Sequence, residues 1–187
     1  MALGIWAVSQ AAGPAPGQLT EQTLGGLLAQ IGLKPQKVEQ RYDFSFKAVH
    51  QGQEWEMSMT AVLSRDGRSL WVMAWLDEIP AGNVPSDRLL RLLAANDELG
   101  NGKFFAYVHA SRRLILQRVI PNNGIDTATM IEILKDLSRS VIETYPLWAT
   151  QRWQTPQTQP VSNRTVPNGV NRPARFAVPP ALQTSPR

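Results

Sequence analysis

Cysteine is absent from the 187 residues. That excludes disulfides, thiolate metal sites and a cysteine nucleophile together. Long apolar runs are missing as well: none approaches the ~18–20 residues that a membrane-spanning helix needs, so no membrane association is expected. GxSxG, HExxH and P-loop signatures do not occur, which removes the common local marks of hydrolytic, zinc-protease and nucleotide chemistry. Acidic residues are missing from one end only. From Gln151 onward there are five arginines (Arg152, Arg164, Arg172, Arg175 and Arg187) and no Asp or Glu, so residues 1–150 hold 14 basic and 15 acidic side chains. The net charge of +4 and the pI near 9.8 therefore belong to the tail, and the body is close to neutral. Five spaced arginines without interleaved aromatics make a weak nucleic-acid footprint, so such binding is expected at most weakly and through the tail.

What is present divides into three stretches: a flexible N-terminal segment (1–18), one folded domain (19–149) and a tail (150–187). One domain suits this length. Met1 to Ala12 carries Leu3, Ile5, Trp6 and Val8 ahead of small residues. The leading reading is a frayed segment of a cytoplasmic protein; a truncated export signal is the alternative, although the basic region of such a signal is missing. The tail, rich in Gln, Pro, Thr and Asn, has too few apolar residues to build a core and is expected to be disordered. Phe176 and Val178 are its candidates for docking, and Asn163-Arg164-Thr165 fits a glycosylation sequon that would matter only in a secretory setting.

Within the body the hydrophobic period identifies the elements. Thr20 reads as the N-cap of a helix over 21–31, with Leu24, Leu27, Leu28 and Ile31 at helical spacing before Gly32 and Pro35. Tyr42, Phe44, Phe46 and Ala48 then alternate with polar residues, Gln51-Gly52 turns the chain, and Trp55, Met57, Met59 and Ala61 alternate again. Asp66-Gly67 signals a hairpin into LWVMAWL (Leu70–Leu76), which is apolar on both faces. Ser86 and Asp87 are candidate caps for a leucine-rich second helix that ends at Gly100-Asn101-Gly102. A second hairpin turns at Ser111-Arg112, and Pro121-Asn122-Asn123-Gly124 breaks its last strand. Asp126 caps a final helix with Met130, Leu134, Leu137, Val141 and Tyr145 on one stripe, ending before Pro146. The order is αβββαββα: an α+β fold with an antiparallel sheet packed by helices.

LLRLLAAN (Leu89–Asn96), GKFFAYV (Gly102–Val108), RLILQRVIP (Arg113–Pro121) and the last helix closing at Tyr145-Pro146 resemble the YbjN-like family, whose fold is that of the type III secretion chaperones. The likeness spans residues 20–148 and leaves the tail without a counterpart. It implies a non-enzymatic, chaperone-like, dimeric module that binds polypeptide and uses no cofactor. Carried over to this chain, it implies that Leu89, Leu90, Leu92 and Leu93 of the second helix mediate self-association.

Other candidates come from the residues themselves. Helix two is apolar over a wider arc than a helix on one sheet can bury, so either loops or another chain must cover the rest. Trp55, Met57 and Met59 share one strand face and Trp71, Met73 and Trp75 share another. A register that joined them would create an adaptable aromatic and thioether surface for a partner, whereas ordinary core is the plainer reading. His50, at a strand end, and His109, on a strand face, lack metal-ligand spacing. Asp77-Glu78 reads as a solvated strand end. No catalytic, cofactor or metal residue is assigned; the alternatives to a binding module are a nucleic-acid-associated protein using the basic tail and an enzyme of unrecognised type, which would need acids or histidines gathered in a cleft from distant positions.

Overall fold

The computed structural model describes residues 16–82 and 84–153. The chain divides into a unit of residues 1–154 and a unit of residues 155–187. The expectations for the N-terminal fifteen residues, for Arg164, Arg172, Arg175 and Arg187, for Phe176 and Val178 and for the sequon lie outside the described residues.

The elements run α1 (Glu21–Gln30), β1 (Gln36–Val38), β2 (Arg41–His50), β3 (Gln53–Leu63), β4 (Ser69–Glu78), α2 (Ser86–Leu99), β5 (Lys103–Val108), β6 (Arg113–Pro121), α3 (Thr127–Glu143) and α4 (Tyr145–Trp148). The expected αβββαββα order is present, with β1 and α4 added. All strands pair antiparallel in one sheet of order β1-β2-β3-β4-β6-β5.

Helix starts follow from side chains that satisfy the first free N–H groups. At α1, Thr20 Oγ1 accepts from Thr23 N (3.2 Å) while Thr23 Oγ1 accepts from Thr20 N (2.8 Å), a reciprocal capping box. At α3, Asp126 accepts from Thr129 N (2.7 Å), and that backbone hydrogen bond holds its carboxyl below the usual carboxylate range. α2 differs from expectation: Pro85 is the N-cap, no side chain caps the helix, and Ser86 and Asp87 lie inside its first turn. The last long helix does end before Pro146, at Glu143, but Tyr145 is not on its stripe: it opens α4. Pro146 sits in the first turn of α4, where a missing N–H leaves no helical bond unmade.

One face of the sheet carries the core. Leu70, Val72, Ala74 and Leu76 of β4 are buried, and Trp71, Met73 and Trp75 between them are half-buried. Leu24, Leu27 and Leu28 of α1, Leu92 and Ala95 of α2, Met130, Leu134, Leu137 and Val141 of α3, and Trp148 of α4 join one cluster with Tyr42, Phe44, Met57 and Met59. At Gly25 a Cβ would stand 2.5 Å from Tyr42 Cζ, so only hydrogen permits α1 to lie this close to β2. Asp136 of α3 receives Lys103 Nζ (2.9 Å) and Arg118 Nη1 (2.9 Å), which pairs the charges where α3 crosses the β5–β6 hairpin.

The packing continues past the expected end of the domain. Thr150 N and Oγ1 donate to Asp77 Oδ2 (2.9 and 3.3 Å), a short 3-10 turn follows over Thr150–Arg152, and Trp153 is buried with its Nε1 donating to Leu147 O (2.9 Å). Arg152, the first arginine of the expected tail, lies over the Tyr145 ring at 5.1 Å.

Candidate interaction surfaces

The leucine-rich helix is positioned by the edge strand beside it. Asn96 Oδ1 of α2 accepts from Phe105 N of β5 (2.7 Å), satisfying an edge N–H that no further strand pairs. This anchor fixes the rotation of α2. Leu92 and Ala95 turn inward at 4% and 9% exposure, while Leu90 and Leu93 turn outward at 64% and 63% and Leu89 stands at 36%. Tyr107 of the neighbouring β5 is also exposed. Leu92 is thus a correction to the expected interface set: it belongs to the monomer's core, and the outward arc is Leu89, Leu90 and Leu93.

The register does not join the two sets of tryptophans and methionines, and for the β3 set the plainer reading, ordinary core, holds. β3 and β4 pair Met59 with Ala74 and Thr60 with Met73. Residues directly opposite each other share a face, so the odd positions of β3 lie with the even positions of β4. Met57 and Met59 are therefore buried in the core, and Trp55 packs edge-on against Tyr145 at 5.3 Å, on the helix side. Trp71, Met73 and Trp75 occupy the opposite face.

On that opposite face a polar chain crosses four strands. Arg41 Nε donates to Asp43 Oδ2 (3.3 Å), Thr60 Oγ1 donates to Asp43 Oδ1, Trp75 Nε1 donates to Thr60 Oγ1 (2.8 Å), and the Arg113 guanidinium stands 5.9 Å from the Trp75 ring centroid. Arg113 also donates twice to Leu76 O (2.7 and 3.0 Å), filling the gap left by the bulge between Trp75 and Glu78. An open depression of about 910 Å³ lies here, lined by Asp43, Ser45, Glu56, Ser58, Trp75 and Arg113 among others. Asp43, Thr60 and Arg113 did not stand out in the sequence. The Gln51-Gly52 turn is nonetheless enough to count Asp43 opposite Thr60, as β2 and β3 pair them.

The histidines are separated. His50 ends β2, as expected, whereas His109 is exposed in the 3-10 turn His109–Ser111 instead of on a strand, with its ring edge-on to Tyr107 at 6.3 Å. Asp77 is not a free strand end, since it anchors Thr150; Glu78 is exposed. Among the described residues no group of three or more His, Asp or Glu is placed to hold a metal ion, and no helix is long and apolar enough to cross a membrane.

Among solved structures, the chain is similar to a chain of the ExsC-ExsE complex (14% identity over 68% of this chain and 92% of that one, TM-score 0.49). It is similar also to a chain of the HopA1-SchA chaperone-effector complex (14%, 66% and 90%, TM-score 0.46). A third is in the heterodimeric ExoU-SpcU complex from the type III secretion system of Pseudomonas aeruginosa (17%, 67% and 97%, TM-score 0.44). No family model and no curated protein matches the chain. Likeness at this level carries no functional argument, so what the protein does has to be read from its own surfaces.

Proposed function

We propose that the chain is a non-enzymatic, chaperone-like protein-binding module that self-associates through the outer arc of α2. One observation carries the reading: Leu89, Leu90 and Leu93 face outward within two turns of a helix whose opposite side is already packed, with Tyr107 exposed on the strand beside them. Contiguous apolar surface of this kind costs free energy while water covers it and is stabilised when a second protein does so instead. A helical stripe presenting the same residues from each copy suits a two-fold homodimer. The half-buried Trp71, Met73 and Trp75 give the sheet a second apolar surface suited to polypeptide. Membership of the YbjN-like family and a cytoplasmic setting belong to this proposal. The family reading is supported by the pattern of Leu89–Asn96, Gly102–Val108 and Arg113–Pro121.

The test is the absolute mass of the whole chain in solution by light scattering, compared with a Leu90→Glu, Leu93→Glu variant. Leu92 is left untouched because a carboxylate there would enter the core. A dimeric parent and a folded monomeric variant are expected. A monomeric parent, or a variant that stays dimeric, overturns self-association through α2.

A further inference from the structure

A second concavity lies away from α2, between the outer side of α3 and the far half of β2. It measures about 320 Å³ and is lined by Phe46 to His50 of β2 and by Lys135, Ser138, Arg139 and Ile142 of α3. Its apolar floor comes from Phe46, Ala48 and Ile142, which are half-buried or buried. Its charged lining is of one sign: Lys135 and Arg139 on the helix side with His50 beside them, Lys47 on the strand edge facing the other side of the sheet, and no carboxylate. Lys135 meets Glu132 at 3.2 Å and Lys47 meets Glu54 at 3.1 Å, but all four side chains are more than half exposed, so water screens these pairs and a competing carboxylate can replace them. Among the described residues Arg139 has no ion-pair partner.

The same groove runs beside an open strand edge. β1 pairs only Arg41 to Asp43, and β2 continues for seven residues to His50 without an outer neighbour among the described residues. The Gln51-Gly52 turn has both residues in the left-handed region (φ 50° and 79°), the geometry of a two-residue hairpin in which the flanking His50 and Gln53 bond to each other. Counting back in twos, Ser45, Lys47 and Val49 are the residues whose N–H and C=O point outward from the sheet. Val49 is 75% exposed.

We infer that this groove takes an extended acidic segment of a partner polypeptide, whose carboxylates on the helix side meet Lys135 and Arg139 beside Phe46, Ala48 and Ile142 while its alternate, apolar side chains lie over Val49 on the other side of the sheet. The charge of the lining selects the sign of the ligand, and the free edge of β2 favours an extended backbone, in which charged and apolar side chains alternate between the two faces. This rests on the reading of the chain as a polypeptide-binding module.

The experiment is fluorescence anisotropy of the whole chain with three fluorescein-labelled ten-residue peptides, in which valine alternates with glutamate, lysine or serine. The glutamate peptide is expected to bind at least tenfold more tightly than the lysine peptide and to weaken as salt is raised. Lys135→Glu, Arg139→Glu is expected to remove or invert that preference. Both residues are exposed, so the variant should keep its circular dichroism and melting temperature; Lys135→Gln, Arg139→Gln replaces it if it does not. If peptides bind regardless of charge, or the variant binds as the parent does, the groove assignment falls and the module reading stands. If none of the three binds, the groove assignment falls, and the light-scattering comparison alone decides the module reading.

Discussion

Leu92 and Leu93 are adjacent in the sequence and opposite in consequence. Leu92 is 4% exposed and packed in the cluster with Phe105 and Leu114, whereas Leu93 is 63% exposed. Truncating a buried leucine to alanine removes its transfer free energy and leaves a cavity, which together cost about 2–5 kcal/mol. Against a total stability on the order of 5–15 kcal/mol this is a large share, and at roughly 3 °C per kcal/mol it lowers the melting temperature by about 6–15 °C. Leu93→Ala removes atoms that water already reaches, so its effect on the folded monomer should stay within about 0.5 kcal/mol. The assay is urea unfolding followed by circular dichroism at two protein concentrations tenfold or more apart. For Leu92→Ala the loss should appear at both concentrations. For Leu93→Ala the midpoint at the lower concentration should match the parent, and a difference should emerge at the higher one, where mass action adds dimer stability to the parent alone. Equal costs for the two variants at low concentration would refute the placement of α2 and, with it, the assignment of its outer arc.

Two further outcomes follow from single side chains. Asn122 is 1% exposed and holds three backbone groups, accepting from Leu19 N (3.0 Å) and donating to Leu19 O and Gly67 O (2.8 Å each), so it ties the start of the fold to the β3–β4 loop. Asn122→Ala leaves all three unpaired and should cost about 2–4 kcal/mol, read by thermal unfolding, with faster hydrogen exchange at the Leu19 amide. Asp126 has its carboxyl pKa lowered by the Thr129 hydrogen bonds, so the stability it supplies is complete above the unfolded value of ~3.9 and is lost as pH falls through the lower folded value. Asp126→Asn should flatten that part of the melting-temperature profile below pH 4 while changing little at pH 7; a parallel acid decline in both proteins would contradict the capping role.

Much of the fold was legible because it rests on local periods and caps. The alternation in Tyr42–Ala48 and Trp55–Ala61, the Gln51-Gly52 turn, and Thr20 and Asp126 as caps each act over a few residues, and each is found where the sequence puts it. The separation of the two tryptophan and methionine sets was legible as well, but only by counting. An even number of residues around Asp66-Gly67 brings odd positions opposite even ones, so Met59 could not lie beside Met73. Nothing comparable marked the end of the domain. Trp153 is buried because Thr150 finds Asp77, 73 residues away, and a composition rich in Gln and Thr carries no trace of that bond.

Composition and short-range pattern set the α+β element order, the near-neutral body and the exclusion of cysteine chemistry. Tertiary structure alone decided which of four leucines on one helix point outward. A run such as LLRLL is apolar around too much of the helix to select a face, and the choice falls to Asn96, which locks α2 to the N–H of Phe105 on an edge strand formed only once the sheet is assembled. It also decided that Lys135 and Arg139 of α3 stand over the far half of β2, because no local rule relates residues almost ninety positions apart; their meeting depends on how one helix crosses one sheet.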